Sequence, residues 1–132
     1  MKKILNVGID IGSTTVKMVV IDRKNNVLFE AYERHYSDTK RTLIDLFNKI
    51  LDMFSNCKFT FILTGSGAIS LSKHLNVPFV QEVIACKNAI KEYAPSTDVA
   101  IELGGEDAKI IYFTGGLEER MNGVCAGGTG SF

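Results

Sequence analysis

The sequence predicts an α/β fold in which one complete βββαβα domain is followed by the first strands of a duplicated second domain. Two stretches of the chain have the same types of residue in the same order, at an offset of 92 residues (99 − 7). They are Val7–Lys17 (VGIDIGSTTVK) and Val99–Lys109 (VAIELGGEDAK). Strand-like alternation and helix-like spacing follow the first copy in the order βββαβα. Because only about 35 residues remain from the start of the second copy, we expect residues 1–95 to form the first domain and residues 96–132 a shortened second one.

The first three elements are predicted to be antiparallel strands joined by tight turns. The apolar residues of Leu5–Ile11 alternate with small or polar ones, which is typical of a strand with one buried face. Residues 16–22 are rich in β-branched side chains, which favour strands, and residues 27–36 form the third strand. Gly12–Thr15 and Arg23–Asn26 supply the two turns.

A helix is expected to begin at Ser37 or Asp38, since both residue types are good N-caps. Five apolar residues at helical spacing predict its buried stripe: Leu43, Phe47, Ile50, Leu51 and Phe54. A strand over residues 59–64 follows and ends at Gly65-Ser-Gly67, before a short helix over residues 68–75. A plain strand-to-helix turn and a phosphate or partner contact are both compatible with these glycines.

The remaining pattern predicts a helix over residues 81–93 and then the second copy of the repeat. Its strands are expected at residues 98–103, 108–113 and 117–121, and residues 123–132 form a glycine-rich loop.

Composition excludes several classes of protein. The chain is 45% apolar and 23% charged, and its 15 basic and 15 acidic residues give no net charge, which argues against a nucleic acid or an anionic membrane as its main target. Three cysteines without a CxxC motif do not describe a disulfide framework or a zinc site. We therefore expect a cytoplasmic protein. Cys86 lies on the apolar stripe of its helix and is expected in the core, and Cys57 is expected to be structural. His35 and His74 are expected on the surface.

The repeated turn has the residues that a phosphate site requires. Asp10 ends the first strand, where it would hold hydrated magnesium through oxygen. The amides and hydroxyls of Gly12, Ser13, Thr14 and Thr15 suit phosphate oxygens, and Lys17 can reach a terminal phosphate as a point charge. The alternative interpretation is a pair of ordinary hairpins without a ligand. The in-register repetition of acid, glycine and lysine argues against it.

In the second copy, Glu102 takes the place of Asp10, and Gly104 and Gly105 the place of the first glycine turn. Lys109 repeats the position of Lys17, although Glu106 and Asp107 are close enough in sequence to pair with it.

DIGSTTVK and ELGGEDAK resemble the first and second phosphate motifs of the actin, sugar-kinase and heat-shock chaperone superfamily. Within it, the end of the chain, MNGVCAGGTGSF, resembles the ATP-dependent activators of 2-hydroxyacyl-CoA dehydratases and the related ATPase subunits of benzoyl-CoA reductase. Thr64–Gly67 and Glu82–Ala89 also sit where that family has similar segments, so the resemblance covers the whole chain.

This resemblance implies a ribonuclease-H-like fold in two duplicated domains with ATP or ADP between them. It implies a homodimer that holds one [4Fe–4S] cluster at its interface and uses ATP hydrolysis to deliver a low-potential electron to a partner dehydratase. Asp10 and Glu102 would then govern magnesium and the attacking water, and the two glycine turns and Lys17 would hold phosphates. Cys125 matches a cluster ligand.

Two departures from the family pattern bear on this interpretation. Glu102 stands where the superfamily usually has Asp, and the family's second cluster cysteine and adenosine pocket lie beyond Phe132. We therefore expect the 132-residue chain alone to hydrolyse ATP poorly. The alternative functions are another kinase of the superfamily, acting on a sugar or carboxylate, and a nucleotide-responsive scaffold without redox chemistry.

Overall fold

A computed structural model describes residues 2–104, 107–113 and 118–125, with the backbone alone at 107 and 118–125. Its contacts divide the chain into two compact units, Met1–Val80 and Gln81–Phe132. The strands and helices confirm the predicted α/β class. The domain boundary predicted near residue 95 separates the two copies of the repeat rather than the two compact units, and it stays a prediction.

The first unit contains a four-stranded mixed sheet. Its strands are β1 (Lys3–Ile11), β2 (Thr15–Ile21), β3 (Val27–Arg34) and β4 (Cys57–Thr64), and they lie side by side in the order β3-β2-β1-β4. β1 pairs antiparallel with β2 and parallel with β4. The central position of β1 brings its end, at Asp10 and Ile11, between the ends of two neighbouring strands.

One face of this sheet forms the hydrophobic core. The alternation predicted for β1 is confirmed, since Leu5, Val7, Ile9 and Ile11 are each no more than 2% exposed. Fully burying a side chain of this size contributes about 1.5–3 kcal/mol. The residues between them, including Asp10, lie on the opposite face of the sheet because successive side chains of a strand alternate.

Helix α1 (Thr39–Met53) covers the core face of the first sheet. Asp38 caps it, because the carboxylate accepts from the Arg41 N–H, so the predicted start is confirmed. The predicted stripe is wrong at one position: Leu51 is 53% exposed, whereas Leu46, which the pattern left out, is 1% exposed. Leu46 lies one turn from Leu43 and Ile50 and completes the face that contacts the sheet.

The segment after β4 returns to the sheet through short elements. A 3-10 turn (Ser66–Ala68) leads into α2 (Ile69–Leu75), which ends at Asn76 in the left-handed conformation. Leu63 of β4 forms an isolated parallel bridge with Phe79, so the free edge of β4 is partly covered near its end.

The second unit contains α3 (Glu82–Tyr93) and an antiparallel sheet of β5 (Val99–Leu103), β6 (Asp107–Tyr112) and β7 (Glu118–Cys125) in that order. β7 extends through Cys125, so the glycine-rich loop predicted over residues 123–132 is wrong for residues 123–125, and its remaining residues lie outside the described ones. The pairing with β6 is irregular here, because Asn122 pairs with Ala108 and Cys125 with Asp107, which leaves Gly123 in a register shift. Glycine inside a strand is common at such bulges. In the described ranges, no helix is long and apolar enough to span a bilayer.

Candidate functional site

The ends of β1 and β2 bring Asp10 and Lys17 together. The two residues are direct partners in the antiparallel register, and Lys17 Nζ donates to Asp10 Oδ2 at 2.9 Å. Their side chains are 35% exposed for Lys17 and 29% for Asp10, so the pair is accessible to a ligand. The centroid of the Tyr32 ring lies 5.8 Å from the Lys17 ammonium, within the range of a cation–π contact.

The turn between the two strands lies next to this ion pair. It is closed by a hydrogen bond from the Gly12 N–H to the Thr15 carbonyl at 2.9 Å, and Ser13 and Thr14 are exposed. A Cβ on Gly12 would lie 3.8 Å from Lys17 Nζ, so glycine keeps open the space beside the ammonium. An exposed turn with hydroxyls and a neighbouring cation fits a phosphate group.

The Thr64–Gly67 segment packs against the end of β1. Thr64 is the parallel partner of Asp10, and Gly65 has a φ of 97°, a conformation that favours glycine. A Cβ on Gly65 would overlap both the Ile11 carbonyl and the Asp10 carboxylate. The sequence left this segment open between a plain turn and a ligand contact, and the structure places it beside the predicted magnesium carboxylate.

Two oxygens at this point are buried without a hydrogen bond among the residues that the structure describes. They are Asp10 Oδ1 and Thr64 Oγ1, on partner residues and on the same face of the sheet. A buried carboxylate oxygen without a donor is energetically unfavourable, and a hydrated magnesium ion would satisfy it, because magnesium is held through oxygen and retains several waters. The residues present therefore fit the implied ion.

His35 is wrongly predicted as a surface residue. It is only 8% exposed, its Nε2 lies 3.1 Å from the Gly12 carbonyl oxygen, and its Nδ1 accepts from the Ser37 N–H at 3.1 Å. The reason is tertiary: the end of β3 lies alongside the start of β2, which brings a residue 23 positions away onto the turn. No sequence pattern indicated this contact. His74, on α2, is exposed as predicted.

The second hairpin repeats the register of the first. Glu102 is the direct partner of Lys109 in β5 and β6, as Asp10 is of Lys17. Lys109, however, is 6% exposed, and its Nζ donates to the carboxylate of Glu82 at the start of α3. The Glu82 contact favours a structural role for Lys109, and the side chains of Glu106 and Asp107, the acids close to it in sequence, lie outside the description.

Glu102 is half-buried and Gly104 is exposed, whereas Gly105 and Glu106 lie outside the described residues. The site roles predicted for Asp10, Lys17, Glu102 and the glycine turns remain predictions.

The cysteines differ in environment. Cys57 packs against the core of the first unit, in agreement with a structural role. Burial, and then the charge of Glu102, raise the pKa of the Cys86 thiol, so this residue is a poor source of thiolate. Cys125 ends β7, and its side chain lies outside the description. Among the side chains that are described, no group of three or more His, Cys, Asp or Glu residues is arranged to hold a metal ion.

Comparison with known proteins gives a family match over nearly the whole chain. The profile of the BadF/BadG/BcrA/BcrD ATPase family matches residues 7–132. A 2-hydroxyisocaproyl-CoA dehydratase activator of Clostridioides difficile is 31% identical over 133 aligned residues, which cover 95% of this chain and 48% of the activator.

Two solved structures share the fold. Component A of the (R)-2-hydroxyglutaryl-CoA dehydratase from Acidaminococcus fermentans has a TM-score of 0.78 at 22% identity, over 97% of this chain and 51% of that one. The activator of the 2-hydroxyisocaproyl-CoA dehydratase from Clostridium difficile, solved with bound ADPNP, has a TM-score of 0.70 at 24% identity, over 92% and 47%. These likenesses show an actin-like, ribonuclease-H-like fold, and the chain spans about half the length of these relatives.

Proposed function

Because the chain belongs to the BadF/BadG/BcrA/BcrD ATPase family, we propose that it is the nucleotide-binding part of an ATP-hydrolysing activator of a 2-hydroxyacyl-CoA dehydratase or a related CoA-ester reductase. The observation that carries the proposal is the Asp10–Lys17 pair beside the open Gly12–Thr15 turn. This arrangement combines a cation and an exposed backbone turn for phosphate with a carboxylate oxygen for magnesium. The name of the C. difficile relative supports the activator role.

We assign a role in ATP hydrolysis to each residue of the predicted nucleotide site. The Gly12–Thr15 turn binds phosphate oxygens through its amides and hydroxyls. Lys17 exchanges its bond to Asp10 for the terminal phosphates, where its charge stabilises the transition state. Asp10 would hold hydrated magnesium through a carboxylate oxygen, and the family resemblance assigns Glu102 to magnesium or the attacking water. Magnesium, when bound, offsets the negative charge of the phosphates.

The electron-transfer part of the proposal concerns the full-length protein. We propose a homodimer in the cytoplasm that shares one [4Fe–4S] cluster, with Cys125 as one of its thiolate ligands and a CoA-ester dehydratase or reductase as the electron acceptor. The support is the CAGGTG motif around Cys125 together with family membership. Iron–sulfur clusters are commonly held by four thiolates, so two from each subunit of a symmetric dimer would complete the set.

The test measures ATP turnover and cluster content in the same full-length protein. We expect the wild type to hydrolyse Mg-ATP and to carry four irons and four sulfides per dimer with absorbance near 400 nm, as a [4Fe–4S] cluster held by thiolates requires. Cys125→Ala should lose the iron, the sulfide and the absorbance but still bind ATP, because the phosphate turns are separate from Cys125 in sequence.

Cys86→Ala is the matched control and should retain the cluster, since burial keeps the Cys86 thiol protonated. Full iron content in Cys125→Ala would show that Cys125 is not a ligand. ATP turnover without iron in the wild type would instead favour a kinase, and ATP binding without turnover a scaffold.

A further inference from the structure

His35 contacts the carbonyls of the predicted phosphate turn in two ways. Its backbone N–H donates to the Thr14 carbonyl at 3.0 Å, and its ring nitrogen Nε2 lies 3.1 Å from the Gly12 carbonyl oxygen. A third carbonyl of the turn, that of Thr15, accepts from the Gly12 N–H. His35, in the connection between β3 and α1, therefore contacts the carbonyls of Gly12 and Thr14, the two residues on either side of Ser13.

The two ring contacts define the tautomer of His35. A carbonyl oxygen can only accept, so Nε2 carries the hydrogen that it donates to Gly12. The Ser37 N–H can only donate, so Nδ1 is the acceptor. The contacts therefore assign the ring hydrogen to Nε2 and the acceptor role to Nδ1, so one nitrogen holds the turn and the other holds the connection.

The connection that carries His35 is itself held in an uncommon conformation. Tyr36 and Ser37 have positive φ values of 47° and 65°, which residues other than glycine rarely adopt. The Asp38 N–H donates to the His35 carbonyl at 2.7 Å, and the Asp38 carboxylate caps α1 through the Arg41 N–H. The helix and two left-handed residues thus fix His35 in place before any ligand binds.

We propose that His35 is a positioning residue that orients the phosphate turn for ATP; this inference rests on the nucleotide site proposed above. In a trans peptide the carbonyl and the next N–H point in opposite directions. When His35 holds the Gly12 carbonyl, the Ser13 N–H points away from the His35 ring. Gly12 lacks a Cβ and can rotate its peptide at little cost, and a rotated carbonyl would present a negative dipole to the phosphate. The His35 ring prevents that rotation.

The test uses substitutions that separate the two ring contacts in the full-length protein. In His35→Gln the side-chain amide N–H replaces Nε2 and can still donate to Gly12. In His35→Asn the shorter amide can accept from Ser37 at the place of Nδ1 but does not reach Gly12. His35→Phe keeps the ring volume and removes both contacts. His74→Phe, at the exposed histidine of α2, is the matched control.

We expect His35→Phe and His35→Asn to raise the Kd and the KM for Mg-ATP about tenfold, because one hydrogen bond that orients the turn is lost. His35→Gln should remain within about threefold of the wild type on the same grounds, and His74→Phe should equal it. The KM should change more than kcat, since the turn binds phosphate in the ground state as well as in the transition state. The melting temperature of each variant is measured as well. It shows whether a change in ATP affinity accompanies loss of the Gly12 contact or only loss of stability.

The outcomes distinguish this inference from the proposed function. A wild-type protein that binds no ATP refutes the proposed function and the inference with it. If the wild type binds ATP and the Kd of all His35 variants equals that of the wild type, or follows only their melting temperatures, His35 is not a positioning residue although the ATP site stands. Recovery of affinity by Gln and not by Asn, at similar stability, supports the inference.

Discussion

The β1–β2 and β5–β6 hairpins have the same register but different surroundings. In each hairpin an acid and a lysine are direct partners across the strands, Asp10 with Lys17 and Glu102 with Lys109. In the first, the lysine bonds that acid and is 35% exposed. In the second, the lysine side chain is 7% exposed and contacts Glu82 of α3.

The apolar faces of the two hairpins differ even more. Val7, Ile9 and Ile11 are each no more than 2% exposed, whereas their counterparts 92 residues on are 46%, 65% and 69% exposed: Val99, Ile101 and Leu103. In the first unit α1 covers this face with Leu43, Leu46 and Ile50. A repeated sequence thus repeats the hairpin, while the neighbouring elements decide which side chains become buried.

The largest difference between the hairpins is expected at their lysines. Lys17→Ala should lower kcat/KM for ATP hydrolysis about 10²–10³-fold, the usual effect of removing a charge or donor that stabilises a transition state. Lys109→Ala should leave turnover per folded molecule unchanged and instead lower the free energy of unfolding by about 1–3 kcal/mol, because Glu82 loses a buried partner.

Steady-state kinetics and urea unfolding of both variants in the full-length protein test this comparison, each variant serving as the control for the other. Equal losses of turnover in the two variants would mean that both lysines act on the nucleotide. Unfolding of Lys17→Ala with unchanged specific activity would make Lys17 structural.

The second comparison concerns the apolar faces. Ile9→Ala should destabilise the 132-residue chain by about 2–5 kcal/mol, since it leaves a cavity in a packed core. Ile101→Ala should change stability by less than about 0.5 kcal/mol, as is usual at an exposed position. Chemical denaturation monitored by circular dichroism measures both. A large loss in Ile101→Ala would show that another surface covers Ile101 in solution.

The smallest expected effect is a pH dependence at the β2–β3 turn. Hydrogen bonds from Asn26, through its side chain and its backbone N–H, lower the pKa of Asp22 below the ordinary value of 3.8. A carboxyl whose pKa is lower in the folded state stabilises the fold above its unfolded pKa, and this contribution disappears as the pH falls through the folded pKa. In the second copy of the repeat, the residue 92 positions after Asp22 is Thr114, so the second copy has no acid at the corresponding position.

The melting temperatures of the wild type and Asp22→Asn should therefore differ at pH 7 and converge below about pH 4. Thermal melts across this range provide the measurement, with Asp45→Asn on the exposed face of α1 as the control. A difference that stays constant from pH 7 to pH 2 would exclude Asp22 as the source.

Much of the fold and part of the site could be predicted from local sequence. Alternation in β1, the Asp38 cap and the glycine turn after Asp10 each depend on residues close together in the chain, and the structure confirms all three elements. The pattern missed Leu46 and included Leu51, since apolar spacing alone does not say which part of a broad stripe meets the sheet. It also ended the last strand before Cys125, because glycine predicts the start of a loop, whereas Gly123 lies at a register shift between the Asn122–Ala108 and Cys125–Asp107 pairs.

The sequence by itself determined the two hairpins, with an acid before and a lysine after each glycine turn, and the resemblance to the family to which the chain belongs. Such features depend on turn chemistry and strand periodicity, which act over a few residues. Only the tertiary structure decided that His35 holds the Gly12 carbonyl, that Gly65 packs against Asp10 and that Lys109 contacts Glu82. Each of these contacts joins residues more than 20 positions apart, and it exists because packing of the strands and helices brings those residues together.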